Sequence, residues 1–294
     1  MNLGKVYRIA SLKRMGNNAI MHWLLAQYEG NTVYLNEVAP FAQPFFAYGC
    51  NPIKEQWNLE AFFYRNEDWP LSALTSSLNE KLFEHPDLHH DGKTDILILR
   101  DPFNHLASRH KMGCFQTKSS LYSYADLWII LAREFSGKTN LSHNKICINY
   151  NKWKDSIEYR KSISEQFGTQ FSDEKLNEVA QEGGGSSFDS MQFQGEATRM
   201  NTTQRWKHFL SEPRYLDIFR NREFYDLTDE IFGIDSILDE PTIHMLQKNF
   251  SRVAQRMTNL HIAYANFIFP LICKLKYTFR IGTIGQLKRA KQDG

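Results

Sequence analysis

The residues best suited to chemistry lie in one short run, Ser11-Leu12-Lys13-Arg14-Met15-Gly16-Asn17-Asn18-Ala19, where an apolar stretch stops and a helical pattern starts. A strand that turns straight into a helix leaves the first helical N–H groups unpaired at the positive end of the dipole. Such ends bind phosphate or sulfate. Gly16 lets backbone amides approach an anion closely, and Lys13 and Arg14 add fixed positive charge beside it. The run departs from Gly-x-x-x-x-Gly-Lys-Ser/Thr, because no second glycine precedes a Lys-Ser/Thr pair. An ordinary ATP-binding loop is therefore disfavoured. Taken alone, the segment reads equally well as a surface turn with two solvated cations.

Those residues need a scaffold, and the pattern supplies one. Val6 to Leu12 reads as a strand, and Ile20, Trp23, Leu24 and Tyr28 then recur at helical spacing. Thr32 to Asn36 reads as a second strand. Asp95 to Leu99 is an apolar run of the kind found in fully buried parallel strands, with Pro102 where a first helical turn accepts it. Lys145 to Asn149 is a further strand, followed by an amphipathic helix to about Phe167. Strands alternating with helices predict a single α/β domain over 1–294, with a central parallel sheet flanked by helices and a helical C-terminal part. Between the second and third strands, about Phe41 to Asp91, the expectation is an irregular, aromatic-rich insertion. A glycine-rich loop opens the segment at about 183–206, and a helical tail covers about 242–294.

Composition narrows the function. The chain has 294 residues, 42% of them apolar and 14% aromatic, enough for a sizeable core. Lys and Arg number 35 against 33 Asp and Glu, a net of +2, which argues against a dedicated nucleic-acid binder. An anionic ligand must then be held by a local cluster of cations and amides. Cys50, Cys114, Cys147 and Cys273 form no CxxC pair, so neither a disulfide framework nor a zinc site is expected. No apolar leader and no run long enough to span a bilayer are visible, and a cytoplasmic place follows.

The Lys13–Ala19 run resembles the 5′-phosphosulfate loop of the sulfotransferases that use 3′-phosphoadenosine 5′-phosphosulfate (PAPS). Arg14 falls on that family's catalytic Lys/Arg, and Gly16, Asn17 and Asn18 on its cradling residues. Lys13 replaces the usual proline and Met15 the usual serine. The family's 3′-phosphate element is a strand, Arg-Asn/Asp-Pro, and a helix with serine eight residues after the arginine. Here Ile98-Leu99-Arg100-Asp101-Pro102 is followed by Ser108 at that spacing. A guanidinium at a strand end and a hydroxyl two helical turns on can pinch one phosphate. The family's Arg-Lys-Gly-x-x-Gly-Asp-Trp is similar to Arg199-Met200-Asn201-Thr202-Thr203-Gln204-Arg205-Trp206, which keeps the first and last residues and loses the Lys-Gly and Gly-Asp. The resemblance implies a P-loop-nucleotide-kinase-like sulfotransferase fold. It implies PAPS as co-substrate, adenosine 3′,5′-bisphosphate as product and no metal. The implied nucleotide-binding set is Lys13, Arg14, Met15, Gly16, Asn17, Asn18, Ala19, Arg100, Ser108, Arg199, Met200 and Asn201.

Sulfuryl transfer requires the acceptor hydroxyl or amine to lose a proton, so a general base is expected. Glu37, just past the second strand, is the first choice, and it is similar in position to the catalytic glutamate of the heparan-type sulfotransferases. His85, His89 and His90 are alternatives, although Glu84-His85-Pro86-Asp87-Leu88-His89-His90-Asp91 reads as a polar surface loop without diagnostic metal spacing. His22, on the first helix, reads as core packing. Phe41, Phe45, Phe46, Tyr48, Trp57, Phe62, Phe63, Tyr64 and Trp69 crowd the insertion. They either line an acceptor pocket, with Glu55, Glu60, Glu67 or Asp68 meeting a cationic group, or simply pack. A small natural product, cationic in character, is the expected acceptor. Ile262 to Cys273 is apolar and the residues beyond it are basic. This tail is expected to pack on the core or on a second copy in a homodimer, with an interfacial helix as the other reading.

Overall fold

A computed structural model of the chain describes residues 2–42, 57–80, 89–113, 122–181, 184–273 and 275. Its sheet is built from β1 (Lys5–Ser11), β2 (Thr32–Leu35), β3 (Ala61–Glu67), β4 (Lys93–Leu99) and β5 (Lys145–Asn149). All pairings are parallel, in the order β2-β3-β1-β4-β5. From β1 the chain runs to one edge and returns through β3, then crosses to β4 on the other side. Neighbouring strand ends therefore lead away in opposite directions around β1, the place where open α/β sheets form a ligand crevice beyond their C-terminal edge. Arg8 and Asp95, opposite each other in the β1–β4 register, form a buried two-pronged ion pair at 2.8 and 2.7 Å. That pair fixes the register, because removing either partner would leave a buried charge uncompensated.

β1 and β4 emerge as expected from their apolar runs, and β3 is the correction. The segment expected to be an irregular aromatic insertion contains a strand that is buried along its whole length. Phe63 stacks on Tyr7, 4.8 Å between ring centroids, in the main core. Phe62 and Tyr64 point to the other face and pack with Leu3, Val6, Leu35 and Val38. Alternation on a central strand splits its aromatics between two cores, so these rings line no acceptor pocket. Phe41 is also buried, its N–H bonded to Asn79 Oδ1 at 2.9 Å. Trp57 packs on the smaller core and Trp69 on the main one. Phe45, Phe46, Tyr48, Glu55 and His85 lie outside the described residues.

Helices cover both faces. After α1 (Asn17–Leu25) come two short turns, α2 (Leu71–Leu74) and α3 (Ser77–Glu80), then α4 (Pro102–Lys111) and α5 (Tyr124–Phe135). The helix expected to run to Phe167 is two, α6 (Tyr150–Asp155) and α7 (Ile157–Phe167), because Ser156 takes extended backbone and caps the second. Beyond Trp206 the described residues are mainly helical, as expected, through α8 (Pro213–Leu216), α9 (Arg222–Phe232), α10 (Glu240–Lys248) and α11 (Arg252–Ala263), and the part of the expected helical tail past residue 275 lies outside the described residues. One core, drawing on residues from Tyr7 to Ala265, joins these elements in a single α/β domain.

Candidate functional site

The C-terminal edge of the sheet opens into a cleft of about 320 Å³, and the loop after β1 forms one end of it. Leu12 and Met15 are fully buried, which turns Lys13, Arg14 and Gly16 toward the cleft. Arg14 and Gly16 both have left-handed backbone, φ 72° and 91°. Two amides of the loop are spent internally, Lys13 N–H on Asp68 Oδ1 at 3.1 Å and Met15 N–H on Leu12 O at 3.3 Å. Asn17 Nδ2 donates to Leu12 O at 3.0 Å and to Glu67 Oε1 at 2.6 Å, closing the loop against β3. Gly16 is the N-cap of α1, and no side chain caps that helix. A Cβ at position 16 would come 2.1 Å from the Tyr150 ring, so only glycine fits beneath it. Asn17, Asn18 and Ala19 line the cleft beside this helix end.

Arg100, at the end of β4, forms the other pole. Its Nη1 lies 3.4 Å from both Arg14 O and Ser108 Oγ, Nη2 donates to Thr202 O, and the guanidinium sits over the Tyr150 ring at 5.1 Å. A second guanidinium meets the same hydroxyl: Arg205 Nη1 is 3.2 Å from Ser108 Oγ, and Nη2 bonds Ser186 Oγ at 2.7 Å and Asp189 Oδ2 at 3.1 Å. Burial, followed by repulsion from Arg100, lowers Arg205 to about 10. Two buried cations thus crowd one wall, and Asp189 pairs with Arg205 there. On that wall Arg100 Nε, Arg205 Nε, Ser187 Oγ and Thr202 Oγ1 are buried without a hydrogen-bond partner. Buried polar groups are normally paired, and a multivalent anion is the chemistry that would satisfy several donors at once.

The cleft brings together much of the set singled out in the sequence. Lys13, Arg14, Gly16, Asn17, Asn18, Ala19, Glu37, Arg100 and Met200 share the cleft. Ser108 lies behind it, fully buried under the two guanidiniums, its Oγ donating to Asn104 O at 2.9 Å. Met15 is also outside, its side chain in the core with Sδ 3.4 Å from Arg100 N. Arg199 and Asn201 are corrections. The turn Ala197–Arg199 directs Arg199 outward, 69% exposed and paired with Glu196, and Asn201 is exposed too. Arg205, missed at first, takes the inner position. Its signal was adjacency to Trp206, whose burial anchors the backbone that delivers the guanidinium.

The titratable neighbours also differ from expectation. Glu37, at φ 55°, reaches Lys13 Nζ at 2.6 Å across the cleft mouth. Burial pulls the Lys13 ammonium down, but the hydrogen bond and charge of Glu37 outweigh it and leave Lys13 above its ordinary value. Glu67 lines the cleft nearly buried. Burial raises its carboxyl, while Arg65, at 3.2 Å from Oε1, and Asn17 oppose the rise. Asp68 is likewise raised by burial and is committed to Arg109 and the Lys13 amide, so it meets no outside cation. Glu60 lies before β3, at the opposite edge of the sheet, bonded to Gly30 N–H. His89 and His90 precede β4 at that same far edge, which removes them as bases for this cleft. His22 does not line the cleft. Fully buried His105 packs behind the loop, its Nε2 3.0 Å from Lys13 O, and is held well below its ordinary value by burial and then Arg109.

Among the described residues no group of three His, Cys, Asp or Glu is arranged to hold a metal ion, and no helix is long and apolar enough to cross a membrane. A scan of protein-family models finds no match to this chain, and a search of the curated proteins finds none.

Proposed function

We propose that the chain transfers a sulfuryl group from PAPS to a hydroxyl or amine of a small-molecule acceptor. One observation carries the reading: a single cleft joins two cationic poles of different build, with Arg100 Nη1 only 3.4 Å from the Arg14 carbonyl. A nucleotide bearing phosphate on its ribose as well as a 5′-phosphosulfate offers one anion to each pole. The Gly16–Ala19 helix end and Arg14 would hold the phosphosulfate. Arg100 and Arg205 would hold the 3′-phosphate, with Ser108 positioning both guanidiniums from behind. Tyr150, between the poles, would give the adenosine an apolar wall.

In an in-line displacement the acceptor oxygen or nitrogen bonds to sulfur as the bridging S–O bond breaks, and negative charge builds on the departing phosphate oxygen. Arg14 and the α1 dipole are aimed at that charge and would stabilise it as it forms. The acceptor's proton goes to a carboxylate at the cleft mouth. Glu37 is the assigned acceptor, with Lys13 holding its side chain. Glu67 is a second candidate, favoured by the burial that raises its carboxyl toward working pH. The mouth also carries Glu178, so an acceptor with a cationic group fits its charge.

The reading is tested in two steps. Adenosine 3′,5′-bisphosphate should raise the melting temperature more than equimolar ATP, since a ligand present at 100 times its Kd stabilises by about 2.7 kcal/mol. A preference for ATP would point to kinase chemistry instead. Glu37→Gln should then keep bisphosphate binding and lose transfer from labelled PAPS by roughly 100-fold or more. Bisphosphate binding with no transfer in either protein would leave a binder of phosphorylated or sulfated ligands.

A further inference from the structure

The end of the chain carries a charge and a surface that the cleft does not use. Residues 241–292 contain nine Lys and Arg and no Asp or Glu. Removing those nine from the chain's 35 leaves 26 against 33 acidic residues, so the remainder of the molecule carries −7. A near-neutral protein is thus divided into an acidic body and a basic C-terminal part.

α11 lies in the basic part and has two apolar faces. It passes through a π-helical turn, Tyr264–Ile268, and continues helical to Cys273. One face is seated on the body. Ile262 and Ala265 are buried at 4% and 0%, Ala265 O accepts from Ser72 Oγ at 3.3 Å, and the Phe269 ring meets Trp69 at 5.8 Å and Tyr122 at 5.6 Å. The other face is open. Val253, Met257, Leu260, Phe267, Leu271 and Leu275 recur at helical spacing and are 48–77% exposed. A contiguous apolar stripe on a surface marks an interaction site rather than a stabilising contact.

The charge decides what that stripe meets. A second copy of the helix would set basic residues against basic residues, with no acidic side chain from 241 to 292 to form interhelical pairs. The π turn and Pro270 also interrupt the regular repeat a helix pair would need. An anionic bilayer has the complementary sign. Its acyl boundary takes an apolar stripe a few ångströms deep, and its headgroups neutralise flanking Arg and Lys. Arg252 and Arg256 sit in the first turns of the open helix, and further Lys and Arg follow Cys273. His261 does not join them, since its Nδ1 faces Asp126 on α5 at 3.2 Å. The net negative charge of the remainder works against approach by other faces.

We infer that α11 and its helical continuation form a docking face for an anionic lipid bilayer, lying in its interface without crossing it. The inference is independent of the reaction assigned to the cleft. Docking would hold the molecule by an element packed on Trp69, two residues beyond the cleft-lining Glu67.

The test is vesicle flotation of the full chain with phosphatidylcholine vesicles, with and without phosphatidylglycerol. Binding should require the anionic lipid and weaken as salt is raised. Leu260→Ser with Phe267→Ser alters two exposed side chains, so melting should be unchanged while partition falls about tenfold or more. Arg256→Glu should lower it about fivefold. Equal partition onto neutral vesicles, or wild-type partition by these variants, would overturn the inference. So would concentration-dependent dimerisation that the double serine variant abolishes in the absence of any vesicle binding. A lowered melting temperature in that variant without vesicle binding would show the stripe covered by the chain itself, and would overturn it too.

Discussion

The junctions that follow β1 and β4 deliver an arginine each to the same cleft, yet they are built on opposite principles. After β4 the helix end is closed from within. Asp101 is fully buried and accepts the Asn104 N–H at 2.8 Å, and Pro102 removes a donor from the first turn. The donors that junction offers the cleft are therefore side chains, Arg100 with Arg205 beside it. After β1 the helix end is left open. Every other described helix of six residues or more has an N-cap side chain bonded to its first turn, whereas α1 starts on Gly16 with none. A site made of backbone tolerates changes of side chain around it, and a site made of two guanidiniums does not. On the proposed reading, changes at Lys13 and at the buried Met15 should matter less than a change at Arg100.

The largest effect expected from that contrast is on rate. Arg14→Ala should slow release of bisphosphate from labelled PAPS by roughly 100- to 1,000-fold, the usual loss for one donor aimed at developing charge. Melting should be little changed, because the Arg14 side chain is only half-buried and its main-chain carbonyl, which faces Arg100, is kept in alanine. A normal rate would remove the catalytic role from the open junction.

Next comes affinity at the closed junction. Arg100→Ala should weaken adenosine 3′,5′-bisphosphate by roughly 100-fold in calorimetric titration, and Arg205→Ala by about tenfold, as expected for hydrogen bonds to a charged group. Arg199→Ala should leave affinity unchanged. If Arg199 matters and Arg205 does not, the inner wall is not the phosphate site. This ranking also shows what the sequence could and could not convey. The strand-end Arg100 was legible because strand, arginine and proline are local features. The Arg199-to-Trp206 segment runs between two short 3-10 turns, with no strand or α-helical period to fix which arginine faces inward. Buried Trp206 sets that in three dimensions, and spacing alone favoured the exposed Arg199. β3 was hidden for a related reason. Its aromatics serve two cores on opposite faces, and its polar end, Arg65 to Glu67, looks like loop until one sees it buried at the cleft. The closing of Glu67 onto Asn17 followed from that strand and was invisible without it.

Gly16→Ala should have a smaller effect, and it probes the open junction without touching charge. The added methyl meets the Tyr150 ring and must adopt φ near 91°. Strain of this kind costs about 1–3 kcal/mol. Bisphosphate affinity should drop with stability, roughly tenfold, because the ring that must move also carries Arg100. Gly16→Ala combined with Tyr150→Leu should recover part of the lost stability. If the double variant melts no higher than the single one, the ring is not what restricts position 16.

The smallest effect concerns Glu67, the carboxylate that ties the open junction to β3 through Asn17. Its carboxyl is raised by burial, with Asp68 adding to the rise and Arg65, Asn17 and Lys13 opposing it. A carboxyl whose pKa is higher folded than unfolded binds more protons in the native state between those two values. Stability contributed by the group is therefore lost as pH climbs from the unfolded value through the folded one. Glu67→Gln keeps the acceptor oxygen for Asn17 Nδ2 and removes the titration. Urea unfolding across that window should show the variant gaining on the wild type as pH rises, with the gain levelling off above the folded pKa. Parallel pH curves for Glu67→Gln and wild type would mean that Arg65 and Asn17 fully offset the burial. The proton acceptor proposed for the cleft would then be Glu37 alone.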